Sequence, residues 1–213
     1  MESFIRNGSQ ITIDNFDSIA HLILNKTVLV VNKGQKSEKS FRICEIEFYL
    51  NNSDHPDLYT HSHEDQKQYG IWYFHRYNNG TYKNGTFKGV DIALGNSKTF
   101  CGILIRTIYD LKFGIMIEGP FKVVNYLLEE YLTVEKTITN IQQLTEGKNL
   151  NTLDNIRGLI LQDLPEANEN LIYQGRRVGL SNKYPEYKER KYRYLIYKDR
   201  IKKQKTSLTV MNE

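Results

Sequence analysis

Cysteine is scarce in this chain: Cys44 and Cys101 are the only two in 213 residues. Each lies within an apolar strand pattern, and neither belongs to a set of Cys and His residues at the short spacings of a zinc site. Because a free Cys usually packs as a small apolar side chain, we expect two reduced packing residues. The sequence therefore offers no cysteine-based metal site.

Long apolar runs are also missing. No stretch of about 18 apolar residues is present, as a membrane span would need, and no apolar core follows a basic N-terminus, as in a signal peptide. We therefore expect a cytoplasmic protein without a membrane partner. Internal repeats are absent as well, and a chain of this length can bury one substantial core. This predicts a single domain over residues 1–200 and a basic, disordered tail over 201–213.

The segments that are present predict an α+β fold. Helices are expected at 17–25, from Pro120 onward, where Pro suits the first helical position, and at 153–161. Strands, separated by turn signals such as Asn-Gly, are expected at 27–32, 41–50, 70–76, 87–94, 100–108, 114–117, 176–180 and 190–197. Because strands and helices do not alternate as in parallel βαβ units, we expect an antiparallel meander.

One strand carries an unusual set of polar residues. Alternation along 41–50 places Glu45, Glu47 and Tyr49 on one face, and the strand leads directly into a histidine-rich loop. Charged side chains are almost never fully buried unless they are paired. The spacing leaves two interpretations open, a solvated strand face and a functional site.

The order of motifs around this strand resembles that of the alkyladenine (3-methyladenine) DNA glycosylase family. The family's Glu-Thr-Glu-Ala-Tyr-Leu strand corresponds to Glu45-Ile46-Glu47-Phe48-Tyr49-Leu50. The other motifs occur in the family's order: a helix and strand at 19–30, Ile103-Leu104-Ile105-Arg106, Gly119-Pro120-Phe121-Lys122 and Arg177-Val178-Gly179. The resemblance implies a single domain with a curved antiparallel sheet and flanking helices. It also implies a monofunctional DNA N-glycosylase of base excision repair, which hydrolyses the bond between a damaged or modified base and deoxyribose.

The resemblance implies three catalytic residues. In the family, the Glu of the strand is the general base for the water that attacks the sugar carbon bearing the base, and Glu47 stands at that position. Arg106 would hold the carboxylate ionised and help to fix the water, and the main-chain carbonyl of Val178 would be the other water ligand. Glu45 is then expected to be structural. Since water is the nucleophile, no metal or organic cofactor is expected.

The resemblance also implies a pocket for a base flipped out of the DNA. Tyr49, His61 and His75 correspond to the family's base-gripping side chains, and stacking on aromatic faces can hold any base. Asp91 stands where the family has an Asn at the base edge. Because an ionised carboxylate only accepts hydrogen bonds, Asp91 is expected to favour bases with exocyclic amines over the keto edge of hypoxanthine.

Two regions are expected to contact DNA. The family's wedge Tyr, which fills the gap left by the flipped nucleotide, has no aligned counterpart at 77–87, where Tyr77 or Tyr82 could serve. The stretch 183–205 holds ten Lys or Arg against three acidic residues, with Tyr interleaved, and can neutralise phosphates. The expected phosphate ligands there are Lys188, Arg190, Lys191 and Arg193. A solvated edge strand is the alternative interpretation.

Two other functions are compatible with the same residues. Four histidines lie close together in the sequence among acidic residues, and His61-x-His63 could chelate a catalytic zinc or iron ion in a metal-dependent hydrolase. A non-catalytic nucleic-acid-binding protein on the same fold is the second alternative, because a fold does not dictate chemistry. Under the glycosylase interpretation we expect a monomer whose partner is DNA.

Overall fold

The part of the chain that the structure describes forms one sheet of ten strands, and every strand pairing within it is antiparallel. The computed structural model describes residues 11–128, 158–164, 166, 168–203 and 207–211. The strands are β1 (Thr27–Val31), β2 (Lys39–Asn51), β3 (Tyr69–Phe74), β4 (Val90–Leu94), β5 (Phe100–Asp110), β6 (Met116–Glu118), β7 (Leu159–Asp163), β8 (Tyr173–Gly175), β9 (Arg193–Leu195) and β10 (Thr209–Val210).

Three α-helices accompany the sheet in these residues: α1 (Phe16–Asn25), α2 (Pro120–Leu127) and α3 (Pro185–Glu189). Pro occupies the first turn of α2 and of α3, where its missing N–H leaves no hydrogen bond unmade. Short 3-10 turns occur at Ile13–Asn15, Glu64–Lys67 and Gly85–Phe87. None of the helices in the described ranges has the length and apolar character needed to cross a membrane.

The two long strands β2 and β5 form the centre of the sheet. The order across it is β10-β8-β9-β2-β5-β4-β3, while β1 joins β2 to β7, and β6 extends β5. The described residues thus form one α+β domain on an antiparallel sheet, which confirms the predicted fold class at this level. The strand β9 lies between β8 and β2, so it is an interior strand and not an edge.

One face of the sheet is apolar and carries the core. Phe16 of α1 stacks on Phe48 of β2 with ring centroids 4.2 Å apart, and Val123 of α2 joins the same buried cluster. Ile46 of β2 and Ile105 of β5, which are paired across the strands, are fully buried there. Each such side chain stabilises the fold by about 1.5–3 kcal/mol relative to exposure. Side chains alternate between the two faces along each strand. The residues between the core residues therefore project from the opposite face of the sheet.

That opposite face carries a row of aligned residues. Tyr73 pairs with Asp91, Asp91 with Leu104, Leu104 with Glu47, and Glu47 with Arg193. Directly paired residues of an antiparallel sheet project from the same face. The row therefore places two acidic residues on one face, on either side of Leu104.

A double irregularity interrupts β2 and β5 beside this row. Ile43 pairs with Ile108, Glu45 with Thr107 and Ile46 with Ile105, so the register skips one residue on each strand. The skipped residues are Cys44 and Arg106. Bulges re-aim side chains and bend strands, and this one directs Arg106 toward both carboxylates of β2.

Several predicted elements are wrong in detail. The helix expected at 153–161 is a strand over Leu159–Asp163, because this segment pairs along its full length with β1; 153–157 lie outside the described residues. No strand forms at 176–180, and the strand expected at 87–94 begins at Val90, after a 3-10 turn. The predicted disorder of 201–213 is wrong for 209–210, which pair with β8 as β10. The helix opened by Pro120 is described as far as Leu127.

Candidate active site

Glu47 is the most enclosed acidic residue of the polar face, with an exposed fraction of 0%. Its Oε1 accepts a hydrogen bond from the Val178 amide N–H at 2.6 Å. Its Oε2 accepts from the Tyr49 hydroxyl at 2.9 Å and from Arg106 Nη1 at 3.3 Å. Three donors from three segments of the chain therefore converge on one buried carboxylate, and they include Arg106 and Val178, the two residues predicted to act with Glu47. The contact with Val178 is made by its N–H, whereas the expected role involved its carbonyl.

Burial dominates the electrostatics of this carboxylate. Removal from water raises the pKa of Glu47 above its ordinary value, while Arg106 and the Val178 N–H act in the opposite direction. Burial followed by the neighbouring Glu47 charge also raises the pKa of Tyr49. Tyr49 therefore stays a neutral hydrogen-bond donor to Glu47. A carboxylate with a raised pKa that is held in place by a guanidinium is suited to act as a general base.

Glu45 lies beside Glu47 on β2 and is engaged by three donors. Its Oε1 accepts from Arg193 Nε at 2.7 Å and from Arg106 Nε at 3.1 Å, and its Oε2 accepts from the Thr107 hydroxyl at 2.5 Å. Arg106 thus bridges Glu45 and Glu47. Because the oxygens of Glu45 are already engaged by buried donors, it holds Arg106 in place and is poorly suited to activate water.

The position of Arg193 corrects one predicted DNA contact. Only 3% of the residue is exposed, and it is paired with Glu45 within the sheet. A phosphate cannot reach a guanidinium in this position without opening the sheet. Arg193 therefore belongs to the buried support of the site and not to a phosphate-binding surface.

A cavity of about 330 Å³ opens on this face, next to Glu47. This volume lies at the lower end of the range for small-molecule sites. Aromatic rings, cationic groups and the segment after Arg177 all contribute to its wall. It is lined by Tyr49, Tyr59, His61, Gln66, His75, Lys83, Thr86, Phe87, Lys88, Asp91, Leu104, Arg106, Pro120, Val178, Gly179 and Leu180.

His75 and Asp91 form a hydrogen-bonded pair in the cavity wall. His75 Nε2 lies 2.7 Å from Asp91 Oδ1, and Gln66 Nε2 donates to Asp91 Oδ2 at 3.0 Å. Asp91 lines the cavity as expected, but it is 2% exposed and both of its oxygens are engaged. The direct reading of a base edge by a free Asp91 carboxylate is therefore not favoured, and His75 is the group that this carboxylate supports.

Two glycines make room for this pair. A Cβ on Gly102 would lie 2.4 Å from Asp91 Oδ2 and 2.5 Å from Gln66 Nε2. A Cβ on Gly89 would lie 2.4 Å from Cε1 of the His75 ring. Real Cβ atoms do not approach other atoms so closely, so any larger residue at either position would displace the pair.

His61 lies beside His75 at the cavity. The two rings are 4.2 Å apart in an edge-to-face arrangement, and Lys83 Nζ lies 3.1 Å from His61 Nε2. Desolvation, together with the neighbouring His75, lowers the pKa of His61. His61 is therefore a neutral ring that can accept a hydrogen bond from Lys83 and offer a face to a ligand.

Arg177 is a supporting residue that the sequence analysis missed. Its guanidinium donates to Asp57 Oδ2 at 2.5 Å and to the Phe48 carbonyl at 3.1 Å, and it lies 4.5 Å from the centre of the Tyr49 ring. It therefore fixes the segment that carries Val178 against β2. Its place beside Val178 in the Arg-Val-Gly motif was the signal in the sequence that could have revealed it.

Phe87 is a second residue that was missed. It lines the cavity, and 67% of it is exposed. The two predicted wedge residues are less available, because the Tyr77 hydroxyl donates to Asn84 and the Tyr82 ring packs under the Arg76 guanidinium at 4.0 Å. The sequence pattern predicts a strand from residue 87, whereas Phe87 belongs to the 3-10 turn that follows the Asn-Gly signal at 84–85.

The other three predicted phosphate ligands lie on and just after α3. Lys188 donates to Asn182, Arg190 to Glu186 at 3.3 Å, and Lys191 to Thr209 at 3.2 Å. The segment before α3 is tied to the cavity wall, since the Tyr59 hydroxyl donates to the Ser181 carbonyl. Lys188 therefore contacts the segment that follows the cavity-lining Leu180.

The predicted chelating pair does not form. His61 contacts His75, whereas His63 stacks on Tyr73 at 5.0 Å and accepts a hydrogen bond from the Asp65 N–H. His55 is held between the Leu50 carbonyl and the Tyr192 hydroxyl. Within the described ranges, no three His, Cys, Asp or Glu side chains come together in a group that could hold a metal ion.

The chain is 42% identical over 217 residues to a protein named "Uncharacterized protein L759" of Acanthamoeba polyphaga mimivirus, and the match covers 96% of each chain. No family model matches the chain. The similarity therefore extends over nearly the whole length of both proteins.

Proposed function

We propose that the chain, which belongs to the same family as the mimivirus protein L759, is a monofunctional DNA N-glycosylase that removes damaged or modified bases. One observation carries the proposal: the buried Glu47 carboxylate, held by Arg106, Tyr49 and Val178, adjoins a cavity walled by aromatic rings. A hydrolytic glycosylase needs these two parts, a positioned general base and a pocket for a flipped base.

Glu47 takes the role of general base. Its ionised form accepts a proton from the water that attacks the sugar carbon, and Arg106 at 3.3 Å favours that ionised form. The raised pKa of Glu47 makes the carboxylate a stronger proton acceptor than an exposed one. Glu45 supports this role indirectly, because it holds Arg106 from the other side.

The cavity wall suits a planar base. Its aromatic side chains include Tyr49, Tyr59, His61 and His75. Aromatic faces stack on any base, with little dependence on which base it is. The exposed ring of Phe87 lines the cavity, and it would fill the space left by a flipped nucleotide. Lys188, Arg190 and Lys191 would contact phosphates beside the cavity.

Excision of bases from defined oligonucleotides tests the proposal. Duplexes with single alkylated, deaminated or otherwise modified bases are incubated with the protein and then treated with alkali, which cleaves the strand at abasic sites. We expect strand cleavage with at least one lesion for the unaltered protein, and a loss of about 10²-fold or more for Glu47→Gln, because the amide keeps the shape but cannot accept the proton.

Glu64→Gln is the matched control. Its carboxylate is 78% exposed and does not line the cavity, so activity should be retained. If the unaltered protein binds DNA but releases no base from any duplex of the panel, the protein is a binding module and the glycosylase proposal fails. Activity retained by Glu47→Gln and lost by Glu45→Gln would move the general base to Glu45.

A further inference from the structure

Two lysines of the cavity wall have hydrogen-bond partners that are not acidic. Lys83 Nζ lies 3.1 Å from His61 Nε2, and Lys88 Nζ donates to Asn125 Oδ1 at 2.8 Å. Both lysines line the cavity beside Glu47. Across the described ranges of the chain, no carboxylate lies within ion-pair distance of either ammonium. The two lysines therefore bring positive charge to the wall that no carboxylate neutralises by direct contact.

The two carboxylates nearest to the cavity are engaged elsewhere. Glu47 accepts hydrogen bonds from three donors, one of which is the Arg106 guanidinium. Both oxygens of Asp91 are bound by side chains of the wall. Neither carboxylate can pair with Lys83 without losing a partner that it already has. A ligand in the cavity is then the group that can supply an acceptor to this ammonium.

The backbone of Lys83 has a fixed position at the cavity. Its N–H donates to the His75 carbonyl at 2.8 Å. The residue before it, Tyr82, forms a β-bridge with Arg76, and Arg76 Nη2 donates to the Tyr82 hydroxyl at 2.7 Å. The side chain of Lys83 therefore starts from an ordered point of the wall, so a ligand does not have to recruit it from a mobile loop.

The contact with His61 leaves two N–H groups of Lys83 for a ligand. Desolvation, together with the neighbouring His75, lowers the pKa of His61 to about 3, so this imidazole is neutral. A lysine ammonium has three donors and no acceptor, so His61 Nε2 is the acceptor of their hydrogen bond. No acceptor for the other two N–H groups of Lys83 occurs among the described residues.

We propose that Lys83 selects bases whose modification carries an oxygen acceptor, so that this pocket favours oxidised bases over alkylated ones. The inference rests on the proposed glycosylase function, and it names the substrate class. A carbonyl or carboxylate oxygen on the base accepts a charge-assisted hydrogen bond from the ammonium. An alkyl group at the same place displaces water from the ammonium and leaves its donors unpaired, which lowers affinity.

The test uses DNA duplexes that differ by an added carbonyl oxygen at one base. The first pair carries 5-formyluracil or thymine at the same position of one sequence, and the second pair carries 8-oxoguanine or guanine. Dissociation constants are measured by fluorescence anisotropy with Glu47→Gln, which should bind the base without releasing it. We expect the duplex with the added oxygen to bind about tenfold or more tightly in at least one pair, as for a hydrogen bond to a charged group.

Three further variants, each made in the Glu47→Gln background, assign this preference to the ammonium. Lys83→Met keeps the length of the side chain and removes its charge, so the preference should disappear. Lys83→Arg keeps charged donors and should retain part of the preference. Lys98→Met is the matched control, because Lys98 is exposed in the turn between β4 and β5 and does not line the cavity. It should leave the preference unchanged.

The outcomes separate this inference from the proposed function. Absence of a preference in both pairs, or a preference that persists in Lys83→Met, would overturn the selection by Lys83. Equal weakening of all four duplexes by Lys83→Met, with a flatter dependence on salt, would assign Lys83 to a phosphate and overturn it as well.

Base release by the unaltered protein is measured separately, on the same duplexes and on the full lesion panel. A preference that depends on Lys83, without release of any base, would leave the acceptor site in place and contradict the glycosylase function. Release of bases without a preference that depends on Lys83 would retain the glycosylase function and contradict the acceptor site.

Discussion

Arg177 and Asp57 form an ion pair, Nη1 to Oδ2 at 2.5 Å, in which both side chains are fully buried. The two residues are far apart in the sequence, and their contact ties the segment before Val178 to the loop after β2. Arg177 also donates to the carbonyls of Phe48 and Tyr187. The pair therefore determines where the Val178 N–H meets Glu47.

Removing the charge of Arg177 should destabilise the fold strongly. Arg177→Met leaves Asp57 buried without its partner, and we expect the free energy of unfolding to fall by about 3–5 kcal/mol. Urea unfolding followed by circular dichroism measures the change. Arg176→Met is the control, because its partner Glu189 is 57% exposed and exposed pairs contribute about 0–1 kcal/mol. Similar losses in both variants would contradict a special role for the buried pair.

The contribution of Glu47 to the stability of the protein should change with pH in a defined direction. Burial raises the pKa of Glu47 in the folded state above its ordinary value of 4.5. Its contribution to stability is therefore fully present below pH 4.5 and is lost as pH rises through the raised pKa. Relative to the unaltered protein, Glu47→Gln should gain stability as the pH rises through the raised pKa. Denaturant unfolding at several pH values measures the free energy of unfolding of both proteins. A difference between them that does not change with pH would argue against a raised pKa.

The rate of base release should follow the same ionisation. Glu47 acts as a base only when it is ionised, so single-turnover excision should increase with pH through the raised pKa. A cationic lesion is the right substrate for this measurement, because its departure needs no acid. If the rate instead rises at the pH where an ordinary exposed carboxyl ionises, then either the pKa of Glu47 is not raised or Glu47 is not the general base.

Gly102 should not tolerate a side chain. The Cβ of Gly102→Ala would lie 2.4 Å from Asp91 Oδ2, so Asp91 and Gln66 must move; we expect a loss of about 1–3 kcal/mol in stability and a slower release of bases. Gly175→Ala is the control, because its Cβ would meet the flexible end of Leu208 at 2.7 Å. Thermal melting and excision assays compare the two variants.

Phe87 should contribute to DNA binding but not to the stability of the fold. Phe87→Ala removes a ring that is 67% exposed at the cavity, so stability should change by less than about 0.5 kcal/mol. Binding to duplexes with a flipped base should weaken by about 1–3 kcal/mol, the range for one stacking contact. Phe113→Ala is the control, since Phe113 is 59% exposed and does not line the cavity. Equal effects of both variants on DNA binding would exclude a wedge role.

The salt dependence of DNA binding should identify the phosphate ligands. Lys188→Ala and Lys191→Ala should weaken binding to all sequences alike, and each should flatten the slope of log affinity against log salt by about one unit. Arg193 is buried on Glu45, so Arg193→Met should instead reduce stability. An unchanged slope in both lysine variants would show that these lysines are solvated at the end of the helix and do not contact phosphates.

Local patterns in the sequence were sufficient to predict where several site residues lie. Alternation with a period of two placed Glu45, Glu47 and Tyr49 on one face of β2, because an extended strand leaves each side chain little choice of face. Pro120 marked the start of α2 for a similarly local reason, its restricted φ. The structure also brings Arg106, Val178, His61, His75 and Asp91 to one cavity, as the ordered motifs implied.

Long-range pairing decided the rest. Apolar periodicity at 153–161 predicted a helix, but the segment from Leu159 pairs with β1, and backbone hydrogen bonds to a distant strand outweigh a weak helical preference. Arg193 has the sequence context of a surface cation, and only the strands on both sides of it bury it. The partners of Asp91 and Arg177 lie 16 and 120 residues away in the sequence. No local pattern encodes such contacts, because they exist only after the sheet has assembled.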